Sequence, residues 1–235
     1  EERSEQCLER AADNLRESLA WENSFETHIS LADVLLEQDE SLEEVEEHLL
    51  QAKAMVTNPT DEAHIEMHLG EIATAREQYE EALRHHLRVA ELTPGHVDTW
   101  VDLAKAYEDL QDFEKADASY RRAIQLQPDN EDLYYALSKM YSENNQLAKA
   151  IEAIEDGLSA NPDSAVLNVF LATTYLDNQD YRQAEIFLER AERLDPELEA
   201  VKMMRQVLNW SKPKTKTVPS IGKLSRHKFK KKGKR

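Results

Sequence analysis

No stretch of this sequence offers the roughly 18 consecutive apolar residues that a membrane-crossing helix needs, so no transmembrane segment is expected. There is one cysteine, Cys7, which excludes an internal disulfide framework. A lone thiol fits a reducing compartment, expected to be the cytoplasm or, in a eukaryotic cell, the nucleus. Glycine (5) and proline (7) are scarce in 235 residues of which 40% are hydrophobic, a balance that points to a helical globular protein. A glycine-rich phosphate loop and a nucleophile elbow are also missing. No catalytic residue and no cofactor is therefore expected, and the chain reads as a non-enzyme. The last absence is of acid: after Trp210 there is not one Asp or Glu, although 47 precede it.

What is present is repetition. Pro94, Pro128, Pro162 and Pro196 stand 34 residues apart, and the segments 63–96, 97–130, 131–164 and 165–198 align without gaps. Slot eight of each segment holds a small residue (Gly70, Ala104, Ser138, Ala172), and slot twenty holds Ala82, Ala116, Ala150 and Ala184. Leu69, Leu103, Leu137 and Leu171 fill slot seven, while Tyr79, Phe113, Leu147 and Tyr181 fill slot seventeen. Small residues let two helices approach closely, and the large ones supply the buried area between them. In 97–130, Trp100, Leu103, Ala104 and Tyr107 form one helical stripe and Phe113, Ala116, Tyr120 and Ala123 a second, so each segment is a helical hairpin. Proline stops the second helix, and the polar pair after it caps the next.

The stretch WVDLAKAYEDLQDFEKADASYRRAIQLQP resembles a tetratricopeptide repeat, with Trp100, Leu103, Ala104, Tyr107, Ala116, Tyr120, Ala123 and Pro128 in the motif slots. The resemblance implies an all-α, right-handed solenoid of stacked hairpins. A degenerate fifth copy is expected at 26–59, with Ile29, Ala32, Leu35, Leu42, Val45, Leu49, Ala52 and Met55 in its slots, followed by three extra residues at 60–62. Upstream, 1–25 reads as the second helix of a truncated repeat with Leu8, Ala11, Leu15, Ser18 and Trp21 facing inward. Downstream, 199–210 reads as a capping helix in which Val201, Met204, Val207 and Leu208 cover the last hairpin.

By the same resemblance, the first helices line a concave groove that takes a protein or peptide ligand, so the chain is expected to act as an interaction scaffold or adaptor. The groove residues are Met67, Glu71, Val101, Lys105, Tyr135, Lys139, Val169, Phe170 and Thr173. An apolar centre flanked by Lys105 and Lys139 suits a peptide carrying an apolar side chain near a carboxylate. Repeats of this family that hold a chaperone's terminal carboxylate place Lys and Asn where this chain has Met67 and Glu71, so that ligand is not expected. HIEMH sets His64 and His68 on one helix face, but the Glu between them is misplaced for a zinc protease and no third ligand is in view, so no metal site is assigned.

Charge divides the chain in two. Residues 1–210 hold all 47 acids against 18 Lys and Arg, whereas 211–235 hold 11 Lys and Arg and no acid. That tail cannot bury enough surface to offset its ordering entropy and reads as flexible. Lys223, Arg226, Lys228, Lys230, Lys231, Lys232, Lys234 and Arg235 form its anion-binding set, suited to RNA, DNA or an anionic surface. An alternative reading follows, in which the chain is an RNA- or ribosome-associated factor and the tail is its main nucleic-acid-binding element. A third use is folding back over the acidic rim near Glu71, Asp98, Glu108, Asp132 and Asp177.

Overall fold

Residues 2–38 and 41–211 are described by a computed structural model, with side chains from Cys7 onward. The tail from 212 to 235, with all of its proposed anion-binding residues, lies outside the described residues. Every regular element among the described residues is an α-helix: α1 (Glu2–Trp21), α2 (Phe25–Glu37), α3 (Leu42–Lys53), α4 (Pro59–Ala75), α5 (Tyr79–Leu92), α6 (Val97–Asp109), α7 (Phe113–Leu126), α8 (Glu131–Glu143), α9 (Leu147–Ala160), α10 (Ala165–Asp177), α11 (Tyr181–Leu194) and α12 (Glu199–Ser211). None is long and apolar enough to cross a membrane. Helices α2 to α11 pair as hairpins, and each hairpin packs on the next through its neighbouring helices.

The turns repeat as faithfully as the helices. Glu77, Gln111, Asn145 and Gln179, 34 residues apart, each adopt a left-handed backbone with φ between 57° and 63°. The amide of the following residue returns to a carbonyl five residues back, as in Gln78 to Ala73 and Asp112 to Tyr107, which closes the first helix. Asp112 and Asp180 then accept amides from Lys115 and Gln183 to open the second. Asn130 and Ser164, just after their prolines, cap α8 and α10 in the same way. The three extra residues at 60–62 are absorbed by α4, which starts at Pro59 under the Asn58 cap and so runs one turn longer than its counterparts.

Tight packing explains the small slots. Ala82, Ala116, Ala150 and Ala184 are fully buried. A Cβ on Gly70 would sit 2.9 Å from the His86 ring, and one on Gly157 would sit 2.8 Å from Cγ of Tyr134. Slot four thus packs on slot twenty-seven and slot eight on slot twenty-four, where His86 occupies the place of Tyr120, Ile154 and Leu188.

Two details of the sequence reading are corrected. In α1 the inward side is Ala12 with Leu15 and Leu19, while Ser18 is exposed and Trp21 is 91% exposed. The helix is continuous for 20 residues; Leu15 faces inward as expected, while Ala12 and Leu19 take the places expected of Ala11 and Ser18. At the other end α12 packs on α10 and α11 through Val201, Met204 and Leu208, but Val207 points to solvent.

The α2–α3 hairpin contains an imidazole pair, His28 buried and His48 half-buried. His28 Nε2 donates to Asn23 Oδ1 at 2.6 Å, which leaves Nδ1 to accept from His48 Nδ1 at 3.0 Å. Burial lowers the pKa of both rings below the ordinary 6.5. For His28 the neighbouring His48 adds to this and Glu47 opposes it; for His48, Glu44 and Glu47 oppose it and Arg16 adds to it. The unfolded chain therefore binds more protons near pH 6 than the folded one, and stability falls with acidification.

Two outcomes are expected. In urea denaturation Gly157→Val, which forces a branched side chain against Tyr134, costs about 2 kcal/mol, while Gly95→Ala, with open space around it, stays within about 0.5 kcal/mol of the parent. Thermal midpoints should be level from about pH 8 to 7 and fall as pH drops through 6.5, and the double variant His28→Gln, His48→Gln should make that decline shallower, leaving the part due to His86.

Candidate functional site

The first helices of successive hairpins share one wall, and side chains from slots one to thirteen, with those of α5 behind them, line its clefts. Between α4 and α6 lies a cleft of about 190 Å³ whose floor is Met67, Val89 and the His86 ring and whose rim carries Asp98 and Asp102. A second cleft of about 370 Å³ adjoins it, shares His86 and Asp102, and adds Glu71, Lys105 and Asp109. Further along, Tyr135 of α8 and Phe170 of α10 stack at 4.1 Å between ring centres.

Each expected groove residue has a definite place. Met67, Val101, Tyr135, Phe170 and Thr173 are half-buried, and Glu71, Lys105 and Lys139 are exposed. Lys105 bonds Asp102 at 3.0 Å and Lys139 pairs with Glu143 at 3.7 Å, so both lysines are engaged by acids of their own helices. Thr173 donates its hydroxyl to the Val169 carbonyl. Val169 is corrected: it is only 5% exposed and belongs to the cluster of Val201 and Leu208, because the capping helix α12 packs on α10 there. Phe170 is held by Tyr135 and by the cluster of Leu167 and Leu171, while its neighbour Asn168 is fully buried with its amide nitrogen on the Ser164 carbonyl.

The electrostatics of the wall are acidic. Burial pushes the Glu108 carboxyl upward, helped by the charges of Glu143 and Asp109 and against the Tyr120 hydroxyl that bonds it. Burial likewise raises Asp109. Carboxylates that are partly desolvated and crowded by their own kind favour an incoming cation.

Sequence reasoning did not find the two clefts or the role of His86. Its signal was present in the alignment of slots: a histidine at slot twenty-four, where the other hairpins have Tyr120, Ile154 and Leu188, opposite the one slot-eight residue that is glycine. The acids of the rim were visible one by one, but their convergence depends on how α4 and α6 are set against each other.

Profiles described as tetratricopeptide repeat match residues 67–97, 97–130, 119–152 and 143–208, an unbroken span of more than half the chain. Solved structures share the fold. The C-terminal part of a repeat-containing protein from Cytophaga hutchinsonii superposes with a TM-score of 0.68 at 15% identity, covering 86% of this chain and 80% of that one. A tetratricopeptide repeat protein from Parabacteroides merdae gives 0.61 at 19% identity, covering 81% and 74%. YrrB, a tetratricopeptide repeat protein with an unusual peptide-binding site, gives 0.55 at 16% identity, covering 83% and 100%. A search of curated protein sequences finds no match. With its slots filled, its hairpins stacked and its profiles matched, the chain belongs to the tetratricopeptide repeat family.

Proposed function

We propose that the chain is a protein-interaction scaffold whose groove, along α4, α6 and α8, takes an extended peptide bearing Lys or Arg beside an apolar side chain. The observation that carries this reading is the lining of the two adjoining clefts: Glu71, Asp98, Asp102 and Asp109 surround an apolar floor, and the one lysine there, Lys105, is already bonded to Asp102. A peptide carboxylate would meet these acids, so a cationic ligand is favoured over the carboxylate-bearing one that Lys105 and Lys139 alone suggest. The Tyr135–Phe170 stack offers a flat apolar seat further along the same wall. YrrB, similar in fold, has a peptide-binding site, which supports a peptide as the ligand class.

The basic segment 211–235 has the chemistry that this groove selects and is tethered to it, so it competes with added peptide. Fluorescence polarisation with matched cationic and anionic peptides tests the reading. Cationic peptides should bind and weaken as salt rises, and Asp102→Asn with Asp109→Asn should reduce affinity by about fivefold to tenfold. Removal of 211–235 should tighten binding at low salt. Equal or tighter binding of the anionic peptides would refute the proposal.

A further inference from the structure

A second feature lies at the junction where the 34-residue spacing is interrupted. Asp33 of α2 comes against His64 and His68 of α4, bringing two imidazoles and a carboxylate from different hairpins to one point. One ligand atom from each lies within 4.8 Å of the others, and all three residues are half-buried. His64 Nε2 and His68 Nε2 are 3.0 Å apart, and His68 Nε2 is 3.7 Å from Asp33 Oδ1. In a tetrahedral zinc site with bonds of about 2.0 to 2.1 Å, ligand atoms stand roughly 3.3 Å from one another. Both spacings lie within a few tenths of an ångström of that figure.

The surroundings orient the ligands. Nδ1 of His68 lies 2.9 Å from Oε2 of Glu71, which accepts its proton. That bond fixes the tautomer, so the lone pair of His68 Nε2 faces His64 and Asp33, the arrangement in which zinc-bound histidines are held by a carboxylate behind them. The two rings cross at 73° with centroids 4.6 Å apart, so that they meet edge to face and their Nε2 atoms converge. Two imidazole nitrogens with one carboxylate suit zinc better than calcium or magnesium, which take oxygen ligands.

We infer that Asp33, His64 and His68 form a zinc site, with Glu71 as the positioning residue behind His68 and the fourth position left to water. Its effect is to tie α2 to α4 across the irregular junction that the longer α4 creates. The site shares two side chains with the groove, His64 of the smaller cleft and Glu71 of the larger, but zinc binding needs no peptide and is read without one.

The test is zinc titration of the full chain by calorimetry, with cobalt absorption as a report of four-coordinate geometry. One zinc per chain is expected, together with a rise in melting temperature on zinc addition. Asp33→Asn, His64→Gln and His68→Gln should each weaken binding by more than about a hundredfold, and Glu71→Gln by about tenfold to a hundredfold. His48→Gln and His85→Gln, on neighbouring helices, should bind as the parent does. Asp33→Asn only replaces a carboxylate with an amide, so retained helical circular dichroism separates loss of zinc from loss of fold. The inference is overturned if the parent binds no zinc, if the Asp33 and His64 variants bind it unchanged, or if affinity is lost in His48→Gln instead.

Discussion

The approach of two helices within each hairpin is set by the smallest side chains in it, and the rest of the architecture depends on that distance. Alanines at slot twenty are fully buried in all four regular hairpins, and at slot eight only Gly, Ala or Ser occurs. With backbones this close, the leucines of slot seven and the large residues of slot twenty-four fill the remaining space. A hairpin of this kind still leaves one side of each helix uncovered, so the next hairpin is part of its core. The cluster of Ala104, Tyr120, Leu137, Met140 and Ala150 shows this directly, because its members come from two hairpins.

Which small residue stands at slot eight, and what faces it at slot twenty-four, shapes the surface. At Gly70 the hairpin admits an imidazole where the others admit Tyr120, Ile154 or Leu188, and the His86 ring then floors both clefts of the groove. Burial lowers the pKa of that ring, which keeps a cation out of the floor and leaves the acids of the rim to set the sign of the groove. At the far end the stack is closed by α12, whose Val201 and Leu208 take Val169 out of the groove and into the core. The cap α12 thus covers one face of α10.

Polar networks concentrate in the first half of the chain. Glu66 is buried between Lys53 of α3 and His85 of α5, at 2.7 and 2.6 Å, and those two partners hold its carboxyl below the usual range despite the burial that opposes them. Together with the His28–His48 pair and the Asp33–His64–His68 cluster, it bridges or pairs helices where the apolar slots are least regular. Directional contacts specify a single register there, in the way that repeated Leu and Ala slots specify it further on.

From the sequence alone one could read the hairpins, their 34-residue period, their turns and the family, because periodic burial leaves a period in the residues themselves. The stripe of α1 differs from its sequence pattern at Ser18 and Trp21, since the adjacent Ala11 and Ala12 both suit the small-residue slot and leave its phase open. Single groove residues such as Met67, Tyr135 and Phe170 were legible as slots, whereas the loss of Val169 to α12 and the pairing of Lys105 and Lys139 were not. Only the tertiary structure decided what stands opposite what: Asp98 and Asp102 across from Glu71, and Asp33 against His64 from 31 residues away. A linear pattern records which face of a helix is buried. The neighbour that buries it, and the charges that neighbour brings, depend on the angle and offset of packed hairpins, which no single residue encodes.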